Sequence, residues 1–403
     1  LMRSLATLYF ICVIDVLGFG IMVPLVPYMA NRFGTPPELL TPLMGVYSLC
    51  QLIASPLWGR LSDRYGRRPI LISSLAGACV SYLMLGIASN IWWLLAARIL
   101  GGFMAGNLAT IMAYASDVSA PKDRAKALGG VGAAIGVGFL IGPAIGGTLA
   151  GENLATVSFL RPSLVAAVLA SVALALVIFV LRETHTAEQR HARHQIRGRS
   201  RPWQLLHDQR GLLWLSLAAL LVTYAQSTLE SIYAQSALDR YGVGPRTTGL
   251  SLMALAGMAV IMQGSIVRVL APRFGEYRLA VAGIVSYTLG LLLMGISTSL
   301  AWTIVGLGLV GIGIGLFNPT GSALASAQSN PSNRGAVMGV YQASASLARV
   351  LAPLFSGVIY ARIGHNAPYF LGAVIALQAF WCMAAARHHP ANHDEQPMRA
   401  GFQ

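Results

Sequence analysis

Twelve long apolar runs dominate this chain, and a run of about 20 mostly apolar residues is what a helix needs to cross a bilayer. They fall at roughly 4–30, 40–61, 68–89, 91–115, 123–150 and 158–181, then 211–236, 246–270, 277–297, 299–327, 333–361 and 366–387. Only 10% of the residues are charged, 55% are hydrophobic, and the mean hydropathy is +0.63. A soluble domain carries about 25% charged residues, so water cannot be the main solvent of this chain. Lipid can. The expected fold class is all-α, a membrane protein of twelve transmembrane helices.

The net charge of +14 invites a nucleic-acid reading. The basic residues, however, sit in short clusters between the apolar runs and form no continuous basic face, so nucleic acid is not an expected partner. With both termini placed in the cytoplasm, only Arg32, Arg161, Arg240, Arg246 and Arg362 fall outside and only Arg98 and Arg349 fall within spans. The other 21 of the 28 Lys and Arg residues are then cytoplasmic, the bias that orients membrane proteins. Met2 and Arg3 lead straight into the first run with no small-residue cleavage site, which reads as a retained span. Cys12, Cys50, Cys79 and Cys382 all lie in apolar segments and read as small packing residues.

A polar stretch rich in Arg and His separates the sixth run from the seventh. The expected organisation is a six-helix lobe at 1–181, a cytoplasmic basic linker at 182–210, a second six-helix lobe at 211–387 and a cytoplasmic tail at 388–403. The linker histidines have no cysteine companions and no metal-ligand spacing, so no metal is expected there. The two lobes match in sequence. Ser119, Pro121, Arg124 and Gly129 recur as Ser329, Pro331, Arg334 and Gly339, an offset of 210 that also relates Gly101 to Gly311, Pro143 to Pro353 and Gly147 to Gly357. Such a duplication is the trace expected of a two-lobed transporter with a pseudo-symmetric pair of helical bundles.

Between the second and third runs stands Gly59-Arg60-Leu61-Ser62-Asp63-Arg64-Tyr65-Gly66-Arg67-Arg68-Pro69. Glycine gives a tight loop its backbone freedom, and the arginines hold it at the cytoplasmic face. Asp63 is also placed to meet the N-terminus of the span that begins near Asn333, where a carboxylate is favoured. This stretch resembles the loop signature of the major facilitator superfamily at every hallmark position. Leu94-x-x-x-Arg98-x-x-Gly101-Gly102 resembles that family's fourth-span motif, with glycine where glutamine is frequent. Gly138-Phe-Leu-Ile-Gly142-Pro143-Ala-Ile-Gly146-Gly147 resembles the fifth-span motif of its antiporters. The resemblance is strongest over 10–150, where the chain is similar to tetracycline-efflux and twelve-span drug:proton antiporters. It implies a loop and gating set of Gly59, Asp63, Arg64, Gly66, Arg67, Arg68, Asp117, Arg124 and Arg334, and an antiporter set of Gly138, Gly142, Pro143, Gly146 and Gly147. Physically, glycines every four residues strip one helix face so that another helix can approach, and Pro143 removes a backbone donor and bends the helix.

Of fourteen acids, Asp15 and Glu230 are read as lying well inside spans, where charge is costly and therefore a functional candidate. Asp15 is about 11 residues into the first run, roughly 17 Å of helical rise, near mid-membrane. The resemblance places an acid at the matching point of tetracycline pumps. Asp15 is expected to bind a proton or a cationic substrate, with Arg98 placed to approach it; a fixed Asp15–Arg98 ion pair is the structural alternative. Glu230 is about 19 residues into the seventh run, and Arg349 is at a similar depth in the eleventh, so a Glu230–Arg349 pair or shared polar pocket is expected. The seventh run is unusually polar and must face a cavity or other helices. The resemblance puts the first, fourth, seventh and tenth spans around a central cavity. That makes Asp15, Asn107, Gln226, Glu230, Tyr233 and Asn318 the substrate-binding candidates.

Tetracycline pumps of this kind carry an acid in the third span where this chain has Ser81, so tetracycline itself is not the expected substrate. The expected function is a proton-coupled antiporter of the inner membrane, exporting small amphipathic or polar organic compounds as a multidrug-resistance pump would. It would act as a monomer, with the proton gradient and no cofactor. An exporter of an endogenous metabolite, such as a siderophore or organic anion drawn to Arg98 and Arg349, is the alternative. A non-transporting receptor is disfavoured by the intact loop motif, and no phosphate loop or paired nucleophile suggests an enzyme.

Overall fold

The computed structural model describes residues 2–120, 123–183, 206, 209–329 and 333–389, without the side chains of 2–4 and 125. Most of the expected basic linker and nearly all of the tail lie outside these residues, as do Pro121 and Pro331 of the repeat. Among the described residues all regular structure is helical, and twelve helical segments are long and apolar enough to cross a membrane. Helix is the solution lipid demands, because each backbone donor and acceptor is satisfied within its own segment.

The spans are Leu5–Arg32, Pro37–Tyr65, Arg67–Gly86, Ile91–Asp117, Lys126–Ala150 and Leu160–Phe179, then Arg210–Tyr241, Pro245–Phe274, Glu276–Ile296, Leu300–Ala327, Arg334–Arg362 and Ala367–Arg387. We refer to them as the first to twelfth. An even number of spans puts the termini and the 59–69 loop at one end, termed proximal; the other end is distal.

The seventh span runs five residues beyond the sequence reading because its last turn is held by side chains. Asp239 accepts from Gln235 Nε2 at 3.0 Å and from the Tyr360 hydroxyl at 2.7 Å. Arg240 donates to the carbonyls of Met294 (3.0 Å) and Ser297.

Spans one to six pack chiefly among themselves, as do seven to twelve. The two groups meet along two helix pairs, the fifth against the eighth and the second against the eleventh. Small residues make these approaches possible, as they must where lipid supplies no hydrophobic drive between helices. Gly147 meets the carbonyl of Pro245 at the start of the eighth span, and its repeat mate Gly357 meets the carbonyl of Pro37 at the start of the second. The duplication seen in sequence is therefore also a duplication of contacts.

Three spans depart from a continuous α-helix, the eighth through a π turn over Met262–Ile266. The first is interrupted after Met22, where Pro24 and Pro27 cannot donate, and resumes at Val26. The fourth tightens to a 3₁₀ turn over Ala105–Asn107. Tightening releases carbonyls from their usual partners, and the second span supplies replacements. Gln51 Nε2 donates to the Ala105 carbonyl at 3.2 Å, and Trp58 Nε1 donates to that of Phe103 at 2.6 Å. A side chain at Gly106 would run into the Trp58 ring and the backbone of Ala54 and Ser55.

Candidate functional site

The break in the fourth span sets the site in the first half. It leaves Asn107 buried and directed at the first span, where its Nδ2 donates to Asp15 Oδ2 at 3.1 Å. Asp15 itself is half-buried. One turn further along, Phe19 stacks on Tyr47 of the second span at 4.8 Å and meets Phe139 of the fifth edge-on at 5.8 Å. An acid and an amide thus share a region walled by aromatic rings.

The expected approach of Arg98 to Asp15 is not what forms. No ion pair joins them within 4.0 Å; Arg98 instead lies over the Tyr47 ring, its guanidinium carbon 4.4 Å from the centroid. Its Nε has no hydrogen-bond acceptor although the side chain is only 3% exposed. The reason is level along the helix. Asn107 is nine residues past Arg98, roughly 13 Å of rise, and Asn107 is the residue at the height of Asp15. Tyr47, which the sequence reading passed over, takes up the cation through its π face.

In the second half, Gln226 Nε2 donates to Glu230 Oε1 at 2.8 Å, one turn away on the same span. Glu230, Arg349 and Asn318 are all exposed in mid-span. Arg349 is near enough for its charge to act on Glu230, yet no ion pair forms within 4.0 Å. The expected Glu230–Arg349 ion pair therefore does not form. Facing an acid and a cation to lipid would be costly. The fully buried Tyr287 of the ninth span has a hydroxyl without a partner, within electrostatic range of Glu230. Tyr233 is only 1% exposed and packs with Leu229, Ile232 and Leu291 in the core of this half.

The loop motif gathers around Arg67, which is buried. Its Nη1 reaches Asp63 at 2.8 Å and the Ser62 hydroxyl at 2.5 Å, and its Nε reaches Asp117 at 3.1 Å. Gly66 adopts φ +108°, open only to glycine, and so turns the chain from the second span into the third. Arg68 donates to the carbonyls of Val177 (3.3 Å) and Ile178. Glu183 accepts from the backbone N–H groups of Arg67 and Arg68 at 2.9 and 3.0 Å, capping the third span. The Ser62 hydroxyl donates in turn to the Gly59 carbonyl at 2.9 Å, which ties Gly59 to the cluster. Arg64 lies over the Tyr65 ring at 5.4 Å. Residues 330–332, which lead into the eleventh span where Asp63 was expected to dock, lie outside the described residues.

The glycine-rich motif of the fifth span has two faces. Gly138, Gly142 and Gly146 lie against Val16, Gly20 and Ile21 of the first span, within the same half. Pro143 and Gly147 meet Gly249 and Pro245 of the eighth span, across the halves. One helix is thus pressed between the span that carries Asp15 and the opposite half.

Polar contacts between the halves gather at the distal end. The Tyr28 hydroxyl reaches Thr248 Oγ1 at 2.7 Å and the Val243 carbonyl at 3.1 Å. Asn31 Nδ2 donates to Gln235 Oε1 at 2.5 Å, and Glu152 accepts from the backbone of Gly244 and Thr247. Arg362 and Glu38 approach to 3.8 Å. The distal end is closed.

The comparisons agree with this architecture. The model of the Major Facilitator Superfamily matches residues 8–276 and 215–401. The class D tetracycline resistance protein of Salmonella ordonez is 28% identical over 368 residues, 89% of each chain. Multidrug resistance protein 2 of Bacillus subtilis (strain 168) is 26% identical over 367 residues, again 89% of each. Among solved structures, a bacterial homologue of the human lysosomal transporter Spinster, inward-facing and occupied, superposes with a TM-score of 0.78 at 17% identity, covering 96% of this chain and 97% of that one. The chain belongs to the Major Facilitator Superfamily, beside its drug-efflux members.

Proposed function

We propose that this chain is a proton-coupled antiporter that exports small amphipathic organic compounds by alternating access. The observation that carries the reading is the pairing of two intramembrane carboxyl groups, each held by an amide: Asp15 by Asn107 in one half and Glu230 by Gln226 in the other. An intramembrane acid with a neutral hydrogen-bond donor and no bound cation is free to exchange a proton for a cationic or polar substrate group. Phe19, Tyr47 and Phe139 supply an apolar wall for the rest of such a molecule. The relatives named above, a tetracycline resistance protein and a multidrug resistance protein, favour export of drug-like compounds. Closure at the distal end with the halves joined along two helix pairs fits one end state of a rocking cycle. In this reading the protein works as a monomer in the inner membrane, with both termini cytoplasmic, the distal end external and the proton gradient as its energy source.

A second reading, export of an organic anion, rests on Arg98. A buried guanidinium without a carboxylate neighbour is an open place for an anionic group. Reconstituted protein under an imposed pH gradient separates the two. Accumulation of fluorescent amphipathic cations, and not of aromatic carboxylates, supports the leading reading; accumulation of neither contradicts both.

A further inference from the structure

The eighth span begins without a cap from its own half. Pro245 occupies its first turn and has no N–H, Gly244 before it offers no side chain, and the donors of Gly244, Arg246 and Thr247 are left without helical partners. All three are taken up by two consecutive residues of the other half. Glu152 Oε1 accepts from the Gly244 N–H at 2.8 Å, Glu152 Oε2 from the Thr247 N–H at 2.9 Å, and the Gly151 carbonyl from the Arg246 N–H at 3.3 Å. Local backbone makes this possible. Gly151 ends the fifth span at φ +98°, a turn that presents Glu152 to the neighbouring helix. Gly244 must be glycine because a Cβ there would overlap the Glu152 carbonyl.

We propose that Glu152 is the latch of the distal gate, a carboxylate of one half that caps the eighth span of the other and lets go once in each cycle. The proposal rests on the alternating-access reading above and adds a positioning residue outside the substrate site. A carboxylate at a helix N-terminus meets both unpaired N–H groups and the positive end of the helix dipole, so it favours the closed state. Glu152 is also exposed. Water can therefore take over both partners when the halves separate, which keeps the latch reversible. Glu183 makes a similar bidentate cap on the third span, but within one half, where rocking need not break it. Only the cap made by Glu152 crosses between the halves.

Thr248, next to Thr247, is fully buried and its Oγ1 meets the Tyr28 hydroxyl of the other half at 2.7 Å, so access to it reports gate opening. The full chain carrying Thr248→Cys, with Cys12, Cys50, Cys79 and Cys382 replaced by serine or alanine, is purified and reacted with a polar maleimide. With Glu152 present, labelling is slow. Glu152→Ala raises the rate at least tenfold, a shift of about 1.4 kcal/mol in the gate equilibrium; Glu152→Gln, which keeps one acceptor oxygen, falls between, and Glu183→Ala labels as the parent does. A Glu152→Ala protein that labels at the parent rate overturns the latch and leaves alternating access standing. Equal acceleration by Glu183→Ala also overturns it, because that is general loosening. If no variant labels at all, the gate does not open, and both the latch and the alternating-access reading fail.

Discussion

Asn107 donates a hydrogen bond to Asp15 across 3.1 Å, from a 3₁₀ turn in the fourth span to the middle of the first. The bond ties the intramembrane acid to the one irregular point of the fourth span, so a change in either helix is felt at the carboxyl group. Asn107→Ala removes the donor and leaves the fold intact. Losing a hydrogen bond to a charged group costs about 1.5–3 kcal/mol, so the initial rate of substrate-driven proton movement is expected to fall at least tenfold. An unchanged rate would show that the bond plays no part in the cycle.

The fifth span offers a sharp contrast between glycines. A side chain at Gly146 would run into the Ile21 backbone, whereas nothing lies within 4 Å of a Cβ at Gly129. Gly146→Leu is expected to destabilise by at least the 1–3 kcal/mol typical of overpacking, and to lower the thermal unfolding temperature in detergent. Gly129→Ala, in a helix interior, should be neutral or raise stability by up to about 1 kcal/mol. Similar losses from both would mean that the first and fifth spans are not packed as described.

At the loop motif, Arg67→Ala leaves Asp63 and Asp117 without their shared cation, at an expected cost of about 2–3 kcal/mol. Arg67→Lys recovers only part of this, because an ammonium cannot fork between Ser62, Asp63 and Asp117. Gly66→Ala forces an alanine to φ +108° and should cost about 1–3 kcal/mol independently. Thermal unfolding of the three variants checks the order; a fully active and stable Arg67→Ala would contradict it.

Glu230 and Arg349 are expected to act as neighbours and not as an ion pair. A double-mutant cycle of Glu230→Gln and Arg349→Gln, read by unfolding, should give a coupling below about 0.5 kcal/mol. A coupling well above 1 kcal/mol would mean that the two side chains meet.

The fold was legible because lipid enforces a simple code. Span length, charge placement and the 210-residue repeat required no knowledge of side-chain geometry, and the matching contacts of Gly147 and Gly357 show why the repeat persists. The site was legible only as a set of candidates. Counting residues gave the depth of Asp15 and Glu230, and the same count carried along the fourth span puts Asn107, not Arg98, at the height of Asp15; only the 3₁₀ turn at that point was not legible. Tyr47 and Tyr287 were passed over, since nothing in a sequence marks which ring will lie near a cation or a carboxyl group. Asp239 was placed beyond the seventh span because a charged pair reads as loop, whereas Gln235, Tyr360 and Ser297 satisfy it as helix. Tyr233 shows the reverse, a polar residue on a polar span that packs into the core.

The central claim is that the chain exchanges protons for substrate through Asp15. Purified protein in proteoliposomes loaded with a pH-sensitive dye, with fluorescent amphipathic cations added, tests it in wild type and Asp15→Asn side by side. The account predicts substrate-triggered proton movement in wild type and its loss in Asp15→Asn, with the variant still folded. Equal proton movement in both would remove Asp15 from the coupling path, and substrate crossing with no proton movement in either would make the protein a facilitator.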